Sequence, residues 1–98
     1  MRRWVEFAHV HLQLRHFEAA LDWAERSLAE NPNYNPTHWA LIAANAHLGR
    51  LPEARRALAT LQALVPGISL AHFGSRIHAD ARHNIVVEGL RLAGMPEA

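Results

Sequence analysis

Apolar residues recur at helical spacing through residues 35–66, first in one stretch and then in another. The first stripe, interrupted by one Asn, is Leu41, Ile42, Asn45 and Leu48, and the second is Leu51, Ala54, Leu58 and Leu61. Gly49 separates the two stripes, where the positive φ that ends many helices costs least. Pro32 and Pro66 lie at the two ends, because proline lacks the N–H that a continuing helix needs. The pattern predicts two antiparallel helices joined by a short turn.

The same scheme occurs once before, in residues 1–34. Its first stripe is Phe7, Ala8, His11 and Leu14, and its second is Phe17, Ala20, Ala24 and Leu28. The shift along the chain that superimposes Ala20 on Ala54 also superimposes Pro32 on Pro66, and we call this shift the repeat offset. Few other residues coincide. What recurs is the placing of the apolar positions and of the helix ends, and not the residue types. It predicts two stacked helix pairs, residues 1–34 and residues 35–68.

Residues 69–98 keep a helical composition but lose the repeat. The segment "ISLAHFGSRI" predicts a fifth helix, and "DARHNIVVEGLRLAG" predicts a sixth. Asp80 is the expected N-cap of the sixth helix, and Gly94 and Pro96 are its expected stop. A stack of helical repeats needs a final unit with a polar outer face. Residues 69–98 are therefore predicted to form a degenerate capping helix pair.

The length of this repeat, with two helices per unit, resembles that of the tetratricopeptide repeat (TPR) over residues 1–66. The residues that carry the resemblance are Trp4, Ala20, Pro32, Gly49, Ala54, Pro66 and the turn "GRLPEA". Departures from the family pattern are His11 and Asn45 in place of Tyr, Ile42 in place of a small residue, Arg15 in place of Gly, and Ala24 in place of an aromatic. The resemblance implies an all-α fold. In it, about six helices form one right-handed superhelix of antiparallel pairs, a TPR-like α-solenoid.

In this family the first helix of each repeat lines a concave groove that binds a protein or peptide. The groove positions implied here are Val5, His9, Gln13, Trp39, Ala43, His47, Phe73 and Ile77. They lack the basic-plus-Asn pairs with which some TPR modules bind chaperone tails, so an amphipathic helix or an extended peptide is the expected partner. Trp39 lies beside the core stripe, and two interpretations stay open: a binding anchor, or packing against the cap near Phe73.

The C-terminal segment "EGLRLAGMPE", Glu88–Glu97, carries a narrower resemblance. It is similar to the end of bacterial class III adenylate or guanylate cyclases that carry tetratricopeptide repeats. In those proteins a catalytic domain precedes the repeats. The resemblance implies that this chain is the C-terminal regulatory part of a bacterial signalling protein, and that it is cytoplasmic.

Composition removes several other classes of function. The chain has 98 residues, half of them apolar and 19% charged, which is typical of one globular domain. It has no cysteine, so disulfide frameworks and thiolate sites are excluded. No apolar run approaches the roughly 20 residues of a membrane span. The ten arginines are scattered among nine acids and give a net charge of +1, unlike the clustered basic face of a nucleic-acid binder.

Catalytic and metal-binding patterns are not evident either, although the chain has eight histidines. His9 and His11 point away from each other on a helix, and a spacing of five places His11 and His16 off one face. The serines lack nucleophile-elbow glycines, and Asp22 and Glu25 beside Arg26 look like exposed ion pairs. We expect no enzyme activity, no cofactor and no metal.

Three functional hypotheses follow from the sequence. The first is a non-catalytic protein-interaction or scaffold module that uses the groove. The second is self-association as a homodimer through the N-terminal helix, whose Trp4 and Phe7 would otherwise be open to solvent. The third, ranked last, is a metal or pH sensor based on the histidines.

Overall fold

The computed structural model of the protein describes residues 4–73 and 82–97, with side chains for 4–71 and 85–97. Its regular elements are α1 (Trp4–Gln13), α2 (Phe17–Glu30), α3 (Asn35–His47), α4 (Leu51–Leu64), a 3₁₀ turn (Leu70–Phe73) and α5 (Arg82–Ala93). Within these ranges every regular element is helical, so the all-α prediction is confirmed. The right-handed superhelical path stays a prediction. No helix in the described part of the chain is long and apolar enough to cross a bilayer.

The repeat is present in the backbone geometry. Helix α2 spans residues 17–30 and α4 spans residues 51–64, so α4 begins and ends where the repeat offset places the ends of α2. The N-caps have nearly the same dihedral angles: φ −89° and ψ 71° at His16, φ −88° and ψ 65° at Arg50. The C-caps Asn31 and Val65 agree similarly, with ψ of 86° and 83°. The two helix pairs are therefore built alike despite few shared residues.

The turn inside each pair also repeats, although its central residue differs. Arg15 has φ +60° and Gly49 has φ +79°, so both are left-handed. In each turn the next N–H donates to a carbonyl five residues back, from His16 to His11 and from Arg50 to Asn45. This is the hydrogen bond of a Schellman helix end. Arg15 takes a conformation that glycine adopts at little cost and a side chain resists.

Replacing Arg15 by glycine should therefore raise the free energy of unfolding, by about 0.5–1 kcal/mol. The gain comes from removing a Cβ from a left-handed residue, and it is reduced by the extra freedom of glycine in the unfolded chain. Urea unfolding followed by circular dichroism measures it. The reciprocal change Gly49→Arg should destabilise by a similar amount, and a loss of stability in Arg15→Gly would contradict this assignment.

Helix α3 lies at the centre of the fold and contacts α1, α2, α4 and α5. It is buried almost all round, from Thr37 to Ala46. The hydroxyls of Ser27 and Thr37 lie 2.8 Å apart in a buried hydrogen bond that joins α2 to α3. A helix that is apolar on all sides is one that has neighbours on all sides. The predicted stripe of Leu41, Ile42 and Asn45 is buried, together with the alanines between them.

Helix α1 differs from its predicted stripe. Phe7 is 49% exposed and Leu14 is 57% exposed, whereas Leu12, which the stripe omitted, is fully buried with Ala8. Two members of the predicted stripe, Phe7 and Leu14, therefore lie outside the core. The physical reason is that α1 is packed on only one side, where it meets α2, α3 and α5.

The C-terminal region only partly follows the expected helix pair. Where a fifth helix was expected, the structure has the 3₁₀ turn Leu70–Phe73, and residues 74–81, with the expected cap Asp80, lie outside the described residues. Helix α5 ends as expected at Gly94, which has φ +102°. The tail then returns to the turn, where the N–H groups of Leu70 and Ala71 donate to the carbonyls of Pro96 and Glu97, at 2.8 and 3.1 Å.

The position of α5 decides which of the predicted groove positions stay accessible. It packs mainly against α3, and it also contacts α4 and α1. In a regular stack each unit touches only its immediate neighbours. Since α5 reaches back to the first helix pair, it lies across the stack instead of extending it.

Candidate functional site

The predicted groove residues of the two helix pairs differ in how accessible they are. In the first pair Val5 and His9 are half-buried and Gln13 is exposed. In the second pair Trp39 and His47 are half-buried, whereas Ala43 is completely buried. The remaining two predicted positions are Ile77, which lies outside the described residues, and Phe73, whose side chain is not described.

Ala43 is buried because α5 crosses α3 there at very short distance. A Cβ added to Gly89 would lie 2.5 Å from the Cα of Ala43 and 2.8 Å from its Cβ. Real Cβ atoms essentially never approach backbone that closely. The crossing therefore needs the small residue on α3 and the absence of a side chain on α5. Sequence reasoning missed Gly89, although a lone glycine inside a helical segment is a signal of such close packing.

His47 is held by the same helix. Its Nε2 donates to the carbonyl oxygen of Ile85 at 2.8 Å, and its ring stacks on Phe17 with centroids 4.7 Å apart and planes 8° from parallel. A ring fixed on both its edge and its face is part of the packing of α5 and α2 against α3. In this structure Ala43 and His47 therefore pack against α5 of the same chain, at positions where the sequence predicted contact with a partner.

Two other histidines, His9 and His38, also form hydrogen bonds to backbone carbonyls. His9 Nε2 donates to the carbonyl of Pro36 at 3.1 Å, which ties α1 to the start of α3. His38 Nε2 donates to the carbonyl of Pro32 at 2.7 Å. These contacts give His9 and His47 structural roles in joining helices, and His38 a role in fixing the loop before α3.

His11 and His16 lie closer together than their spacing suggested. Their ring centroids are 5.8 Å apart, because the chain reverses at Arg15 and His16 no longer belongs to α1. The prediction that the two rings diverge is wrong. A specific zinc site takes three or four converging ligands, and among the described side chains no group of three or more potential metal ligands occurs.

A second accessible surface is the α1 outer face, which we define as Phe7, Val10 and Leu14. These side chains are 49%, 51% and 57% exposed. Along one flank the Phe7 ring lies 5.0 Å from the Trp23 ring, and Trp4 lies 6.4 Å from Trp23, centroid to centroid. This face is the largest run of exposed apolar side chains along any one described helix and its end.

An apolar hollow of about 310 Å³ opens between α2, α3 and α4. It is lined by Leu28, Pro32, His38, Leu41, Arg56, Ala57 and Thr60. Its polar side chains bond within the protein: His38 to Pro32, Thr60 to the Arg56 carbonyl at 3.2 Å, and Arg56 to Glu53 at 3.2 Å. The hollow therefore offers a ligand few unused polar groups.

The conspicuous C-terminal tail has a structural explanation for several of its residues. Gly89 allows the helix crossing, Gly94 reverses the chain, and Met95 is buried with its N–H donating to the Leu90 carbonyl. Arg91 donates to Glu97 at 3.0 Å, and this hydrogen bond with the adjacent negative charge raises the pKa of Arg91 above its ordinary value. The tail thus closes the end of α5 onto the 3₁₀ turn.

No protein-family model, no curated protein and no solved structure matches this chain. The relation between the two helix pairs is therefore established from the chain itself, through helix ends and cap dihedrals that recur at the repeat offset. Two surfaces can be considered for binding. One is formed by the predicted groove positions that stay accessible on α1 and at the start of α3, and the other is the α1 outer face.

Proposed function

We propose that this protein is a non-catalytic protein-interaction or scaffold module of the tetratricopeptide type. The observation that supports it is the recurrence, at the repeat offset, of both helix ends and both caps in the second helix of each pair. A stack of such pairs presents side chains of its first helices along one face, and it does so without any catalytic group.

The partner surface proposed for this function is the part of the concave face that α5 leaves accessible. It runs from Val5, His9 and Gln13 on α1 to Trp39 at the start of α3. Trp39 is the largest side chain among them, and a partly accessible tryptophan next to a packed core suits an anchor for a peptide or an amphipathic helix. Ala43 and His47 are not part of this partner surface, because both pack on α5.

We further propose that the module belongs to the C-terminal, cytoplasmic part of a bacterial signalling protein such as an adenylate cyclase. Its support is the sequence of the tail, Glu88–Glu97, beside the repeats. The gene tests this directly. We expect an upstream, in-frame class III cyclase domain, and a gene that encodes another kind of protein upstream would contradict it.

Replacing Trp39 by alanine should weaken partner binding about tenfold or more, because an anchoring tryptophan contributes more than about 1 kcal/mol to affinity. Partners captured from bacterial extract would each be purified, and their dissociation constants with the native protein and the variant would be measured by calorimetry. Leu92→Ala is the matched control, since Leu92 is an exposed residue of α5.

The control should bind as the native protein does, and circular dichroism should show that both variants keep their helices. If every purified partner binds the Trp39→Ala variant as tightly as the native protein, the proposed surface is incorrect. If no captured protein binds once purified, the proposed function itself fails.

A further inference from the structure

The turn between α1 and α2 brings two histidines together through its backbone geometry. The N–H of His16 donates to the carbonyl of His11 at 2.8 Å, across the left-handed Arg15. In a Schellman helix end the side chains at the two ends of this hydrogen bond commonly contact each other, usually as an apolar pair. Here both are imidazoles, and their ring centroids lie 5.8 Å apart. The equivalent turn of the second helix pair has Asn45 and Arg50 at these positions, so only the first of the two turns carries the histidine pair.

The distance between the two rings suits a shared metal ion. A bond from a metal ion to an imidazole nitrogen is about 2.0–2.1 Å long, and the ring centroid lies roughly 1 Å behind that nitrogen. Two rings that bind one ion therefore have centroids about 5–6 Å apart, and the observed separation of 5.8 Å falls in that range. His16 is exposed, so its ring can turn about its side-chain bonds to aim a nitrogen at the ion.

A second and independent observation concerns the ring of His11. Its Nδ1 is buried, and no hydrogen-bond partner for it occurs among the described residues. Buried polar atoms nearly always have a partner, and an exception indicates a water or an ion. The rings of His9, His38 and His47 each donate to a backbone carbonyl instead. His11 is therefore the described histidine whose environment calls for a ligand from outside the chain.

We propose that His11 and His16 form a two-imidazole site for a divalent first-row transition metal ion, with Cu²⁺ the ion that binds most tightly. Imidazole nitrogens suit copper, nickel and zinc, and affinity for such sites is highest for Cu²⁺. The tetragonal coordination of Cu²⁺ accepts two imidazoles at adjacent positions, with water at the others. Zn²⁺, which takes three or four protein ligands in specific sites, should bind more weakly. The site lies outside the proposed partner surface, and the inference does not depend on that surface.

Arg15 is the nearest charge in the sequence, and it opposes the ion. It is exposed and stands between α1 and His16. Arg15→Gly removes this positive charge and keeps a residue that adopts the left-handed conformation readily. The variant should therefore bind Cu²⁺ about threefold more tightly than the native protein. Loss of copper binding in Arg15→Gly would contradict the assignment of the site to this turn.

Calorimetric titration of Cu²⁺ into the full chain tests the two ligands separately. Loss of one ligand should cost at least what loss of an outer-shell group costs, so His11→Gln and His16→Gln should each raise the dissociation constant about tenfold or more. His9→Gln is the matched control, because His9 lies on the same helix as His11 and is half-buried as His11 is. The control should bind Cu²⁺ as the native protein does, and electron paramagnetic resonance of the native complex should show nitrogen ligands.

A measurement on the native protein keeps the proposal testable even if a variant fails to fold. Substoichiometric Cu²⁺ broadens the nuclear magnetic resonance signals of nearby amides, and the broadening should be strongest for residues 11–16. Broadening centred elsewhere, or no binding by the native protein, overturns the proposal. Native affinity in both His11→Gln and His16→Gln overturns it as well, because the copper would then be held only adventitiously.

Discussion

Leu12→Ala should lower the free energy of unfolding by about 3 kcal/mol, within the range found for truncating fully buried leucines. Leu12 is completely buried on the inner side of α1, in the core shared with α3. The loss combines the transfer free energy of the removed methyl groups with the cost of the cavity they leave. Urea unfolding monitored by circular dichroism measures it, at protein concentrations low enough to keep the chain monomeric.

Val10→Ala and Leu14→Ala are the controls for that measurement, since both residues lie on the same helix or at its end and are more than half exposed. Each should change the free energy of unfolding of the monomer by less than about 1 kcal/mol. If Leu14→Ala destabilised the monomer as much as Leu12→Ala, α1 would face the core with its other side, and the account of its open face would be wrong.

Gly89→Ala should destabilise the protein by about 2 kcal/mol, although the same change inside an ordinary helix stabilises by about 1 kcal/mol. The added Cβ would lie 2.5 Å from the Cα of Ala43, and backbone cannot move aside as a flexible side chain can. Relief requires α5 to shift away from α3, which opens the packing of Val86 and Leu90 in the same core. Thermal and urea unfolding both measure the effect.

Glu88→Ala is the neighbouring control, because Glu88 is exposed on α5 and its replacement leaves the helix crossing intact. We expect a change of less than about 0.5 kcal/mol. An increase in stability for Gly89→Ala would mean that α5 does not cross α3 at Ala43. In that case the predicted groove position Ala43 would be available to a partner.

The helices that the sequence predicts best are α2 and α4. Each has one apolar face and one charged face, so the spacing of Ala20 and Ala24, or of Leu58 and Leu61, identifies the buried side directly. Proline follows both helices and Gly49 precedes α4, and the two helices agree in length. For these two helices the face that the local pattern predicts to be buried is the face that packs in the tertiary structure.

Helix α1 was harder to interpret because apolar residues occur on most of its circumference. Phe7, Leu12 and Leu14 are all apolar, and spacing alone does not say which side has a neighbour. Helix α3 has the same character, yet it is covered on all sides. The difference lies in what is packed outside the helix, and local sequence does not record that.

The accessibility of the predicted groove positions could not be derived from the repeat for a similar reason. The rule that places Ala43 and His47 in a groove assumes a stack that continues in regular steps. Helix α5 breaks that regularity by packing back onto α3 and α1. Gly89 was the available sign, but a glycine in a helix indicates close packing without naming its partner. The approach of His11 to His16 likewise depended on a left-handed Arg15, which residue type disfavours.

The most direct test of the central claim, that α5 packs on α3 at the predicted groove position Ala43, is a nuclear Overhauser spectrum of isotope-labelled protein. With Gly89 packed on Ala43, the α-protons of Gly89 should give a strong cross-peak to the methyl group of Ala43. A Gly89 that shows no contact with Ala43, while the Ala43 methyl is in contact with water, would contradict the account.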